Sequence, residues 1–256
     1  MLNLFARLQA YLGGLGVFAR DSFSLFGQAL YRLPALMKWP VRRAFLKQMY
    51  FTGIQSVGPV GSFGFLSGLI MVMQVSSLVG RNEILTLQVL IWTVVRELGP
   101  LLTAVVIVGR SSSAIASELA AMQVNGEIIS LQRMGVSPRA YLIMPRALAM
   151  TVASLALTFY FQLVAIGTGM VVTAWHIDVS LAGEVRHFFE MLSYREIFAA
   201  LLKSVLFGML VSVVSCYHGL SVKRAMTEIP IAASRAVMQS LLAVFACDGL
   251  VTVLVF

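Results

Sequence analysis

Three motifs follow one another between Arg96 and Pro138: R-E-L-G-P at 96–100, G-R-S-S-S-A-I-A-S-E-L-A-A-M at 109–122, and E-I-I-S-L-Q-R-M-G-V-S-P at 127–138. The stretch begins inside a hydrophobic segment and ends in a short amphipathic helix bounded by Gly126 and Pro138. Ile128, Leu131, Met134 and Gly135 repeat at helical spacing on one face, and Glu127, Ser130, Gln132 and Arg133 occupy the other. A helix of roughly three turns set between two apolar segments buries little on its own. It must lie against its own bundle or dock into another molecule.

The surroundings of that stretch decide the class. Residues are 59% hydrophobic and only 12% charged, too few charges to cover a soluble domain of 256 residues. Several apolar runs reach the roughly 20 residues needed to cross about 30 Å of hydrocarbon. The expected fold is an all-α integral membrane protein, read as a single domain over 1–256. It divides into an interfacial helix and basic stretch (1–47) and a transmembrane bundle (48–256) of about five spans. No signal-peptide pattern opens the chain, which is expected to insert through its own spans. Cys216 and Cys247 both lie within apolar runs and read as buried thiols.

In residues 1–33, Leu4, Leu8, Tyr11, Leu15, Phe18, Phe26, Leu30 and Leu33 gather on one side of a helix, with Arg20, Ser24 and Gln28 largely opposite. That pattern suits a helix lying in the membrane interface. Pro34 ends it, and Lys38, Arg42, Arg43 and Lys47 follow as a stretch fit for anionic head groups. Residues 49–79 form the first span, rich in glycine. Gly61, Gly64 and Gly68 share a face that permits close helix approach, and Gly58-Pro59 predicts a kink or a partly broken span. Ile84 to about Met122 reads as a span continued by a helical extension, and Arg139–Thr173 as the third span. Trp175–Glu190 reads as a loop with a short helix near 180–190. Arg195–Tyr217 and Ile231–Phe256 are the fourth and fifth spans.

Charge sets the expected orientation. Placing the N-terminus inside puts Arg7, Arg20, Arg32, Lys38, Arg42, Arg43 and Lys47 there, with Arg110, Arg133, Arg139, Arg146, Lys223, Arg224 and Arg235. Arg81, Arg186 and Arg195 remain outside, a strong positive-inside bias. The same bias and lipid head groups account for the +8 net charge without nucleic acid. Four charges fall within spans: Arg96, Glu97, Lys203 and Asp248. Each is costly in hydrocarbon unless paired or hydrated. Helix rise places Lys203 roughly 10 Å and Asp248 roughly 12 Å below the same face, so the two are expected to pair.

Catalytic signatures are missing. There is no G-x-x-x-x-G-K-[ST], H-E-x-x-H or G-x-S-x-G; His176, His187 and His218 are scattered. The expectation is a non-enzymatic chain with no metal site, no catalytic residue and no cofactor of its own.

The three motifs together resemble the MlaE (YrbE) family of ABC-transporter permeases, and the likeness extends from the N-terminal helix to the last span. The family's usual run is E-I-D-A-L-x-x-M-G-V-D-P; here Ile129, Ser130 and Ser137 depart from it, while Ile128, Leu131 and Met134 keep the apolar stripe. The resemblance implies a homodimeric permease in the inner membrane of a double-membraned bacterium, with the N-terminus cytoplasmic and the C-terminus periplasmic. It would move phospholipid between inner and outer membranes and maintain outer-membrane asymmetry. It implies as partners a cytoplasmic ATPase dimer using ATP and Mg, a STAS-domain subunit and a periplasmic hexamer of MCE-domain protein. Glu127, Ile128, Leu131, Met134 and Gly135 would couple to the ATPase, and dimerisation is expected about the glycine-rich first span. Leu69, Met73 and Leu78, with polar Gln74, Ser77 and Glu97, would line a cavity for acyl chains. Alternatives remain: a proton-coupled secondary transporter using Glu97 or Asp248, a non-transporting scaffold, or a sterol-like cargo.

Overall fold

The computed structural model describes residues 39–80, 83–177, 181–223 and 225–255; the interfacial helix expected over 1–33, and Lys38, lie outside them. The described residues form helices and no strands: α1 (Trp39–Thr52), α2 (Val57–Val79), α3 (Glu83–Leu90), α4 (Gly99–Ile107), α5 (Ser113–Val124), α6 (Glu127–Arg133), α7 (Met144–Ile177), α8 (Leu181–Met191), α9 (Tyr194–Leu220) and α10 (Glu228–Val255). Five helical stretches are long and apolar enough to cross a membrane: Val41–Leu78, Ile84–Val124, Tyr141–Trp175, Tyr194–Leu220 and Glu228–Val255. The chain is a multi-pass membrane protein. The bundle has two ends, one carrying α6 and the other α8.

The first span does not begin where its apolar composition begins. Arg42, Arg43 and Lys47 belong to α1, which runs into the span, so the basic stretch is helical and its side chains are exposed. Nor does the kink fall at Gly58-Pro59. It lies earlier, at Gly53 and the single 3₁₀ turn Ile54–Ser56. Proline explains the displacement. Pro59 has no N–H for the carbonyl four residues back, so the helix restarts at Val57, placing Pro59 in a first turn, where no donor is required.

The glycine face of α2 is used inside the chain. A Cβ on Gly61 would meet the Tyr160 hydroxyl at 2.6 Å, one on Gly64 would lie 3.1 Å from the Phe161 carbonyl, and one on Gly68 would strike the Ala165 carbonyl. Backbone-close packing of α2 on α7 therefore consumes the stripe from which the sequence led us to expect dimerisation. The outward face of α2 instead carries Phe63, Leu66, Ile70 and Met73.

The second span is one long helix with two wide turns of π geometry, Ile91–Leu98 and Val108–Ser112; a third, Arg139–Ile143, opens the third span. The core gathers where α9 meets this span and α7, with Phe207, Phe161, Leu87, Ile107 and Leu119 fully covered. α10 packs on α9 and α5 and leaves Met238, Leu242, Phe245 and Val253 exposed.

Candidate functional site

The first π segment, Ile91–Leu98, runs into R-E-L-G-P at 96–100, and the proline accounts for part of its geometry. The Gly99 N–H turns to the Val94 carbonyl, five residues back, and Pro100 has no N–H. The Val95 carbonyl thereby loses both donors that could reach it along the helix. Gln162 on α7 supplies the replacement, its Nε2 donating to Val95 O at 3.0 Å. Gly99 makes room for it, since a Cβ there would stand 2.9 Å from Gln162 Cγ. The motif thus spells a deliberate opening of the helix, and π turns of this kind gather at functional positions.

The opened turn presents Glu97 to α9 and α10. Lys203, wholly enclosed, donates from Nζ to Glu97 Oε2 at 2.6 Å and to Thr252 Oγ1 at 2.8 Å. The Thr252 hydroxyl lies 3.2 Å from Glu97 Oε1. Asp248 Oδ1 stands 2.8 Å from Lys203 Nζ, an ion pair whose angle falls outside hydrogen-bond geometry. Arg96 Nε is 3.2 Å from Glu97 Oε1. Four formal charges therefore meet across three spans and cancel. The pair expected from helix rise, Lys203 with Asp248, is present; Glu97 and Arg96 join it. Thr252, one turn beyond Asp248, went unnoticed in the sequence although its i+4 spacing puts it on the same face.

The second motif is a junction. Ser112 lies 3.3 Å from Ser240 on α10 and accepts from Ser215 on α9 at 2.8 Å, while Ser113 bonds back to the Gly109 and Arg110 carbonyls. Near the α6 end, Arg146 on α7 reaches Glu118 on α5 at 2.8 Å, and a Cβ on Gly219 would meet Leu119 Cβ at 2.7 Å. The end of α9 is locked to α5 by that contact.

α6 is shorter than its sequence limits imply, running Glu127–Arg133 rather than to Pro138. Gly126 at φ 75° turns the chain into it, and Gly135 at φ 76° ends it. Glu127 in its first turn and Arg133 in its last complement the helix dipole. The apolar stripe divides: Ile128 is buried in the bundle, Leu131 packs at the core's edge, and Met134 is 67% exposed. Gly135 and Val136 are exposed beside Met134.

The α2 residues do not join the charged group. Met73, Gln74, Ser77 and Leu78 are exposed and Leu69 is half-buried, on a helix that packs chiefly against α7. Among the described residues no group of His, Cys, Asp and Glu could hold a metal ion.

The site therefore sits in a multi-pass helical membrane bundle, with a short helix turned out at one end and a neutralised charge group across three spans. The chain belongs to the MlaE permease family, whose model, described as Permease MlaE, matches residues 45–254. It is 28% identical to a probable ABC transporter permease of Rickettsia prowazekii, covering 91% of both chains. It is 30% identical to a probable ABC transporter permease of Synechocystis, over 84% of this chain and 82% of that one. It is also 28% identical to the intermembrane phospholipid transport system permease protein MlaE of Haemophilus influenzae, over 96% and 97%.

Proposed function

We propose that this chain is the membrane subunit of an ABC transporter that moves phospholipids between the inner and outer membranes and so maintains outer-membrane asymmetry. It works as a homodimer in a bacterial inner membrane, its N-terminus and α6 in the cytoplasm and its C-terminus in the periplasm. A separate ATPase dimer supplies the work, with a STAS-domain subunit bound to that motor and an MCE-domain hexamer on the periplasmic side. The chain itself hydrolyses nothing.

The observation that carries this reading is the division of α6. Ile128 anchors it in the bundle while Met134 and Val136 face outward, the arrangement of a peg seated at one side and offered at the other. α5 and α4 continue from it, through the second π turn, to Glu97. A push on α6 is thereby delivered to the helix that holds the charge group. The α2 face with exposed Met73 and Leu78 and half-buried Leu69 suits acyl chains, and Gln74 and Ser77 suit their polar ends. The Haemophilus relative's name gives phospholipid as its cargo. The test is purification of the chain from its native membrane in mild detergent, with mass spectrometry of what accompanies it. An ATPase, an MCE-domain protein and phospholipid are expected; a chain that elutes without any nucleotide-hydrolysing partner overturns the reading.

A further inference from the structure

Arg110, in the second π segment, is set differently from the other charges of the bundle. One guanidinium nitrogen donates to Ser56 Oγ at 3.4 Å and another to Gln55 Oε1, and the guanidinium carbon sits 5.2 Å from the centre of the Phe51 ring. Those three residues flank the break between α1 and α2. Among the described residues, Arg96 pairs with Glu97, Lys203 with Glu97 and with Asp248, and Arg146 with Glu118. Arg110 belongs to none. Its surroundings are neutral acceptors and a ring face.

Arg110 lies toward the α6 end of the bundle. Ser112 bonds to Ser215, which lies five residues from Leu220 at the end of α9. Arg110 is two residues further in, about 10 Å inside that end at 1.5 Å per residue. A helical side chain leans toward its helix's N-terminus, here away from the α6 end and toward the α1–α2 break, where Arg110 meets Ser56 and Gln55. Near that boundary of the spans, a guanidinium held only by a cation–π contact and two neutral hydrogen bonds remains open to an anion. The space beside it is open. Gln55, Gly58 and Gly109 are exposed, and a Cβ on either glycine would have nothing within 4 Å. α1, with its exposed Arg42, Arg43 and Lys47, packs against this same π segment.

We propose that Arg110 binds the phosphate of a phospholipid headgroup in the notch at the α1–α2 break. The guanidinium fork matches two phosphate oxygens, Ser56 and Gln55 aim it, and the lipid's charge replaces the missing carboxylate. The binding requires neither ATP nor a partner subunit, so it stands or falls apart from the transport reading.

The test is thermal unfolding of the purified full chain in detergent, followed by a thiol-reactive dye that reports exposure of buried Cys216. The additions are dioleoylphosphatidylglycerol, dioleoylglycerol (the same chains without phosphate) and inorganic phosphate. Wild type should gain several degrees from the phospholipid and little from the other two. Arg110→Gln should lose that gain. Gln55→Glu carries its own counter-charge, so it should start more stable than wild type and gain little; it decides the matter if Arg110→Gln does not fold. Equal gain from dioleoylglycerol, or an undiminished gain in both variants, overturns the site, and an equal gain from inorganic phosphate overturns the lipid. Asp21 is the chain's one acid before Glu83. If Asp21→Asn mimics Arg110→Gln, the counter-charge is the protein's own and the proposal falls.

Discussion

Lys203 is enclosed completely between two carboxylates, and its removal should be among the most damaging single changes in the chain. Leaving buried charges unpaired costs about 3–5 kcal/mol, so Lys203→Ala should unfold far below wild type in detergent melts. Lys203→Met combined with Arg96→Gln, Glu97→Gln and Asp248→Asn removes the whole set and should recover most of the loss. A Lys203→Ala chain that melts with wild type would mean that water already screens the group. Gln162 supports a second prediction. Gln162→Leu strands the Val95 carbonyl and should cost about 1–3 kcal/mol. Pro100→Ala in that background returns an N–H to the second span and should restore part of it. The sequence made the charges legible because an ion in an apolar run is conspicuous. Thr252 and Gln162 were not, since an uncharged polar residue in a span is commonly satisfied by its own helix, and only the partner's position reveals its role.

Five spans, the helix after the third and the short helix between the second and third could all be read from apolar length and glycine placement. Their ends and irregularities could not. Local signals placed α6 correctly at Gly126 but ran it on to Pro138, because the left-handed turn at Gly135 stops it before the proline can. The first span's kink followed the same logic, since Pro59 shapes the backbone N-terminal to itself rather than at itself. The divided face of α6 leads to a prediction for this element. Met134→Asp should leave the melting temperature unchanged and abolish stimulation of the partner ATPase, whereas Ile128→Asp should destabilise the bundle. Full ATPase coupling in Met134→Asp would remove α6 as the contact.

For the whole molecule, the rival energy source is a proton gradient acting through Glu97 or Asp248. Both carboxylates are engaged by Lys203, and a nucleotide-driven permease has no need to release either. Lipid movement in vesicles containing the complete assembly should continue when a protonophore collapses the gradient and stop when ATP is withheld. The reverse dependence would transfer the work to the carboxylates. Packing also bears on assembly: α2 spends its glycines on α7, while α10 keeps an exposed apolar row from Ile231 to Val253. A family member that pairs with itself would then do so through bulky side chains rather than close backbones.

The two wide turns of the second span have a mechanical meaning. A π turn holds one residue more than an α turn, which offsets the angular phase of everything beyond it by about 100°, one residue's share of a 3.6-residue turn. α4 has such an offset at each of its ends. If one wide turn tightens as the other loosens, α4 spins about its own axis like a rod between two universal joints, while α3 and α5 keep their seats. Effort arriving at α6 would then reach Glu97 as torque rather than thrust. Spin labels on α4 should change their facing between nucleotide states with little change in their distance to either end of the bundle.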